Sequence, residues 1–195
     1  MKLTPQSFFD GWFREINLND FFKYSEIAGN DPAVKQAALT KLGFNTFGGY
    51  GEHRGYMFKD TYLAKDEKFI HLGIDINVPK GSFVYCPFEC DVVDFLIDKD
   101  TDIGWGTRVV LKKRGSKSDL RLVIGHLESD FIYPYRQKSF QHNAVLGMVG
   151  TWPTNGNVFE HIHVQAIKSE NIKTFDGYGH KEDLINNPNP FEVEW

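Results

Sequence analysis

The chain has 195 residues, of which 41% are hydrophobic and 15% aromatic, with a formal net charge of −4. That is enough for one ordinary globular domain with a core that stands without disulfides, and the charge leaves no basic footprint for nucleic acid. No apolar run approaches the ~18 residues of a membrane-spanning helix.

At the amino terminus, Asp10 and Arg14 interrupt the apolar residues around Phe8 and Phe9 before a secretory signal could form. The sequence as it stands therefore points to the cytoplasm. Residues 4–42 read as helical: Thr4 is placed to cap a helix with Pro5 at its first position, Asp31-Pro32 repeats that signal, and Gly43 ends it. The expected organisation is a helical extension over 1–46 and a second part, 47–195, the two forming a single compact unit. Residues 47–56 are rich in glycine, which signals sharp turns or close backbone approach. They read either as a surface loop or as a groove wall in which Glu52, Arg54 or Tyr56 meets a ligand.

From residue 69 to 167, short β-branched and aromatic runs alternate with turn clusters at the spacing of an antiparallel all-β domain. The clearest strands are 92–97, 108–111, 120–124 and 161–167. Lys112-Lys113-Arg114, beside Gly115, reads as a solvated hairpin tip. The loops at 98–102 and 133–143 are where such a scaffold would acquire specificity. Cys86 and Cys90 read as small packing residues rather than a disulfide, and His142 and His180 as surface residues. A tail with a short helix over 181–185 and the run Asn187-Pro188-Asn189-Pro190 closes the chain.

The chemistry concentrates in His71-Leu72-Gly73-Ile74-Asp75 and, far along the chain, Glu160-His161-Ile162-His163. Imidazole and carboxylate suit a divalent metal such as zinc. On a straight strand His71 and Asp75 would be roughly 13 Å apart, so the chain must bend between them, and Gly73 is the residue that permits a kink or close approach. His161 and His163 project to one face of a strand about 6.7 Å apart; one can ligate while the other works beside it. His126, in the apolar run Val123-Ile124-Gly125-His126-Leu127, would be costly to bury without a partner.

Together these motifs resemble the lysostaphin/LytM-type zinc metallopeptidases, whose patterns are H-x-x-x-D, a lone H-L after a strand, and H-x-H. Gly81-Ser82-Phe83-Val84-Tyr85-Cys86-Pro87 through Val92, Gly104-Trp105-Gly106 and Leu146-Gly147-Met148-Val149-Gly150 extend the likeness over residues 68–167. The resemblance implies a mainly β fold: an antiparallel sheet or sandwich of the lysostaphin-like, duplicated hybrid type, here with a small helical amino-terminal lobe. It also implies that His71, Asp75 and His163 bind Zn2+ while His126 and His161 are catalytic. Two positions depart from the pattern. Ile124 stands where the family usually has tyrosine, and strand alternation places it on the face of His126; Glu160 stands where proline is usual, facing away from His161.

The implied activity is hydrolysis of amide bonds in short Gly- or D-amino-acid-containing peptides, peptidoglycan fragments included, through a zinc-activated water. The helix signature H-E-x-x-H is absent, so His126 and His161 take the place of its glutamate. The alternatives are a non-hydrolytic, regulatory zinc module and a cytosolic amidase of a small metabolite.

Overall fold

The computed structural model describes residues 1–27, 31–59, 62–98, 104–129 and 137–195. Of the two loops expected to carry specificity, 99–102 and 133–136 lie outside the described residues. The elements in chain order are β1 (Arg14–Glu15), α1 (Leu18–Tyr24), α2 (Pro32–Leu42), β2 (Thr46–Gly48), α3 (Gly55–Phe58), β3 (Ile70–His71), β4 (Ile74–Asn77) and β5 (Phe83–Tyr85). They continue with β6 (Cys90–Ile97), β7 (Thr107–Lys113), β8 (Leu120–Leu127), β9 (Ser139–Phe140), β10 (Val145–Met148), β11 (Ile162–Lys168) and β12 (Tyr178–Gly179). Single 3-10 turns stand at Pro5–Ser7, Tyr62–Ala64, Ser169–Asn171 and Lys181–Ile185.

Among the described residues the strands form an eight-stranded sheet, in the order β1-β2-β4-β11-β8-β7-β6-β9, and two two-stranded sheets, β10-β5 and β12-β3. The architecture is mainly β, as the sequence indicates. One pairing departs from the antiparallel expectation: β1 runs parallel to β2.

Alternation along the strands sorts residues between the two faces of the large sheet. Ile74 and Ile76 of β4, Leu122 and Ile124 of β8, and Ile162, Val164 and Ala166 of β11 join Val84 of β5 and Leu146 of β10 in the main core. The odd-numbered residues of β11, His161's successors His163 and Gln165 among them, therefore face the other way. There Val110, Val123 and Ile167 form a smaller cluster with Trp105 and Phe175 packed on it. The main core is large and apolar; the opposite face is the one with room for chemistry.

The helical reading of residues 4–42 needs correction. Helix forms at Pro5–Ser7 as a single turn, and in α1 and α2, but residues 8–11 turn and bend and Arg14–Glu15 form a short strand. Its backbone finds partners at the sheet edge instead: Arg14 N–H donates to Asn45 O at 2.9 Å and Ile16 N–H to Phe47 O at 2.8 Å. Tertiary packing decides this, because Phe8, Phe9 and Phe13 belong to the main core under the sheet. The caps of α2 are as the sequence suggests. Asp31 Oδ1 accepts from Ala33 and Val34 N–H, and Gly43, at φ 89°, closes the helix with its N–H on Leu39 O. Residues of α1, α2 and α3 pack into a second cluster around Leu18, Phe22, Leu39 and Phe58, which Phe159 joins from the far end of the chain.

Candidate metal centre

Four strands deliver the functional side chains. His71 ends β3, which pairs with β12; Asp75 lies in β4, which pairs with β11 and β2. The chain bends between the two sheets at Gly73, so His71 Nε2 comes within 3.3 Å of Asp75 Oδ1. A β-carbon at Gly73 would overlap the imidazole of His163; glycine is there to admit that ring. Pairing does the rest, since His163 is the register partner of Asp75. Its Nδ1 lies 3.3 Å from Asp75 Oδ1 and 2.9 Å from His71 Nε2. The donor atoms of His71, Asp75 and His163 all fall within 4.8 Å of one another. His161 Nε2 stands 3.5 Å from the same carboxylate oxygen.

His126 reaches this face by a β-bulge. In the β7/β8 ladder Val109 pairs with Ile124 but Thr107 with Leu127, so two residues of β8, Gly125 and His126, oppose the single residue Arg108. His126 takes the bulge conformation, at φ 61°. The extra residue reverses the alternation: Ile124 and Leu127 both point into the main core, while the His126 ring lies 4.5 Å from that of His161. Ile124 therefore does not share a face with His126, and the residue at 124 has no access to the site. Glu160 precedes β11 and turns away, accepting from Lys80 N–H at 3.2 Å.

Each histidine is oriented by a fixed hydrogen bond. His71 Nδ1–H donates to Gly49 O at 3.0 Å, His126 Nδ1–H to Asn155 O at 2.7 Å and His161 Nδ1–H to Phe159 O at 2.8 Å. A carbonyl only accepts, so these contacts set the tautomers and leave each Nε2 as a lone pair. His163 Nε2–H donates to Gln165 Oε1 at 2.8 Å. Gln165 is held in that sense because its amide nitrogen donates to Asp176 O and Asn187 Oδ1. His163 Nδ1 is then a lone pair as well. Burial lowers the basicity of His71, to about 3 with the Arg54 cation adding to the effect, and lowers that of His126 and His161 too. All three are neutral rings.

Asp75 is held by what lies behind it. Arg54, 0% exposed, donates from Nη1 to Asp75 Oδ2 at 2.6 Å and to Tyr178 Oη at 3.0 Å, and from Nε to Glu52 Oε2 at 2.9 Å. Burial alone would raise the Asp75 pKa, but the Arg54 cation hydrogen-bonded to it holds it well below the usual carboxylate range. Asp75 Oδ1 is buried without a hydrogen-bond partner. Glu52 and Arg54 are thus buried side chains, neither a solvated loop nor a wall of the cavity over the histidines; the buried Asp75 carboxylate needs a counter-charge, and that requirement draws Arg54 inward. Tyr56 is half-buried and its amide donates to Asn19 Oδ1. The supporting Gly49, Asn155 and Phe159 are not legible in the sequence as partners of the histidines, because a hydrogen bond to a backbone carbonyl leaves no trace in residue type, and the Gln165 side chain is matched to His163 only by the fold.

A cation fits this arrangement. Two imidazole lone pairs and an unpartnered carboxylate oxygen converge with no donor between them, and each ligand's outward atom is hydrogen-bonded, the usual support of metal-binding histidine. Two imidazoles and one carboxylate match the ligand set of a catalytic zinc with an open position. A cavity of about 530 Å³ opens over the set, floored by Asp75, His126, His161 and His163 and walled by Phe58, Trp105, Phe159, Phe175 and Tyr178.

No protein-family model matches the chain, and no curated protein matches it. Solved structures do. Its structural neighbours are peptidases of the M23/LytM type. The chain is 17% identical to LytU, with a TM-score of 0.38 over 51% of this chain and 62% of that one. To a zinc-containing peptidase from Vibrio cholerae it is 16% identical, with a TM-score of 0.42 over 63% of this chain and 32% of that one. To the catalytic domain of the antimicrobial peptidase lysostaphin from Staphylococcus simulans it is 15% identical, with a TM-score of 0.41, covering 60% and 80%. The match thus spans less than two thirds of LytU and about a third of the Vibrio cholerae protein. Among the described residues no helix is long and apolar enough to cross a membrane.

Proposed function

We propose that this protein is a zinc-dependent metallopeptidase that hydrolyses amide bonds in short Gly- or D-amino-acid-containing peptides, of the kind found in peptidoglycan. The observation that carries this reading is the convergence of His71 Nε2, His163 Nδ1 and the unpartnered Asp75 Oδ1 on one point, with His126 and His161 beside it. Zinc held by these three residues supplies Lewis acidity, polarising the scissile carbonyl and acidifying a water.

The chain's own groups do the remainder. One of His161 and His126, both neutral and with Nε2 free, accepts the proton of the attacking water as its oxygen bonds to the carbonyl carbon. The imidazolium so formed stabilises the developing oxyanion and returns the proton to the departing amine as the C–N bond breaks. His126 Nδ1–H and His161 Nδ1–H stay committed to Asn155 O and Phe159 O, so proton traffic runs through Nε2.

Metal analysis and turnover of wild type, His163→Ala, His126→Ala and His161→Ala test the assignment. Wild type is expected to hold one zinc per chain and to cleave soluble muropeptides or glycyl peptides. His163→Ala should lose metal and activity together. His126→Ala and His161→Ala should keep zinc while turnover falls about 10² to 10³ or more. Zinc lost from His126→Ala, or retained in full by His163→Ala, would reverse the roles; no zinc-dependent cleavage across the panel would remove the peptidase reading.

A further inference from the structure

Arg54 is the largest fully buried side chain of the protein's described residues, and it sits directly behind the carboxylate of the metal centre. We propose that Arg54, braced by Glu52 and Tyr178, is a positioning residue for the metal: it fixes Asp75 as a one-oxygen ligand by occupying Oδ2, so that Oδ1 alone is offered to the ion. The inference rests on the metal-centre reading above and adds to it the control of coordination number.

A carboxylate can bind a cation through one oxygen or two. Two-oxygen binding raises the coordination number and suits larger, hard ions such as calcium; a small four-coordinate ion takes one oxygen and keeps a position open for water or substrate. Here the two oxygens of Asp75 have opposite surroundings. Oδ2 receives the guanidinium at 2.6 Å, a short, charge-assisted hydrogen bond. Oδ1 receives no donor and lies 3.3, 3.3 and 3.5 Å from the nitrogens of His71, His163 and His161.

The guanidinium is itself immobilised. Nε is held by Glu52 Oε2 at 2.9 Å, and the same Nη1 that holds Asp75 donates to Tyr178 Oη at 3.0 Å. Gly49, at φ 102°, packs so closely that a β-carbon there would overlap Nη2. A buried ion pair whose only task was folding would present the guanidinium fork to both oxygens of one carboxylate. Arg54 instead divides its donors between two carboxylates and leaves its Nη2 without a partner, although Asp75 Oδ1 also lacks one. That division keeps one lone-pair site bare. The single positive charge also offsets one of the two negative charges of Asp75 and Glu52, which lowers the cost of holding the ligand buried and ionised before an ion arrives.

The test compares wild type with Arg54→Lys, which keeps the charge and loses the fork, and Glu52→Gln, which loosens the brace. The readouts are the zinc dissociation constant from chelator competition and the visible spectrum of the cobalt(II)-loaded protein, whose bands are intense in a four-coordinate site and weak in a site of higher coordination. For Arg54→Lys we expect zinc affinity about 10- to 100-fold weaker, the usual effect of losing a hydrogen bond to a metal ligand, with weakened cobalt bands. Glu52→Gln should move both in the same direction by less. Should Arg54→Lys fail to fold, Glu52→Gln decides. Wild-type values of either readout in folded variants would overturn the positioning role, including a loss of affinity with an unchanged cobalt spectrum, which is the mark of a merely structural pair. Wild-type protein that binds neither ion would overturn the metal centre itself.

Discussion

Histidine neutrality has a measurable consequence. His71, His126 and His161 are all held below the ordinary histidine range, first by burial. Once unfolded they take up protons near pH 6.5, whereas the folded, metal-free protein does not. The unfolded state therefore binds more protons below that pH, and stability falls with acidification by up to about 1.4 kcal/mol per pH unit for each such group. Asp75, held well below its usual range, adds a loss of the same sign below about pH 4. The urea midpoint of the metal-free protein should be level above about pH 7.5 and should fall steeply between pH 6.5 and 4; a flat profile would show that these rings are protonated or exposed in the folded state. The residue scale is also where the sequence was most informative. H-x-x-x-D and H-x-H carry their chemistry in residue type, so His71, Asp75, His161 and His163, which the fold brings together beside His126, are legible as candidates in the sequence. Arg54 could not be assigned from the sequence, because a charged residue in a glycine-rich stretch looks the same whether it faces solvent or a buried carboxylate.

At the scale of elements, the bulge in β8 decides what residue 124 can do. Alternation predicts that 124 and 126 face the same way, and it fails because of a bulge at Gly125-His126, a break that the glycine within β8 permits but that only the pairing with β7 fixes. Ile124→Tyr separates the two views. If the residue faced the site, a phenol would be added to the cavity and activity would change; pointing into the main core, it overpacks. The expected result is a stability loss of about 1–3 kcal/mol in chemical denaturation, with zinc content and substrate affinity unchanged in the folded fraction. The same limit explains the amino-terminal segment. Capping signals located α2, where the helix is decided by its own ends, but residues 8–16 follow the sheet edge and the core rather than their propensity.

For the molecule as a whole, residues of the amino-terminal segment share their core with the strands that carry the candidate metal centre. Leu3, Phe8, Phe9 and Phe13 lie in the main core, and Phe58 and Phe159 of the second cluster form a wall of the cavity. Phe8→Ala, at a position 0% exposed, should cost about 3–5 kcal/mol, as much as a large truncation within the sheet would; a change under about 1 kcal/mol would mean that the segment folds apart from it. The link runs through hydrogen bonds as well. The amide of Asn19, in the first turn of α1, donates to Glu52, which holds Arg54, which holds Asp75. That proton exchanges with solvent when its hydrogen bond to Glu52 opens, and Glu52 is tied through Arg54 to Asp75. In deuterium oxide, therefore, the Asn19 amide serves as a remote clock for occupancy of the metal centre: its exchange should slow when zinc is added, while the exposed turn at Gly115, with no connection to the site, keeps its rate.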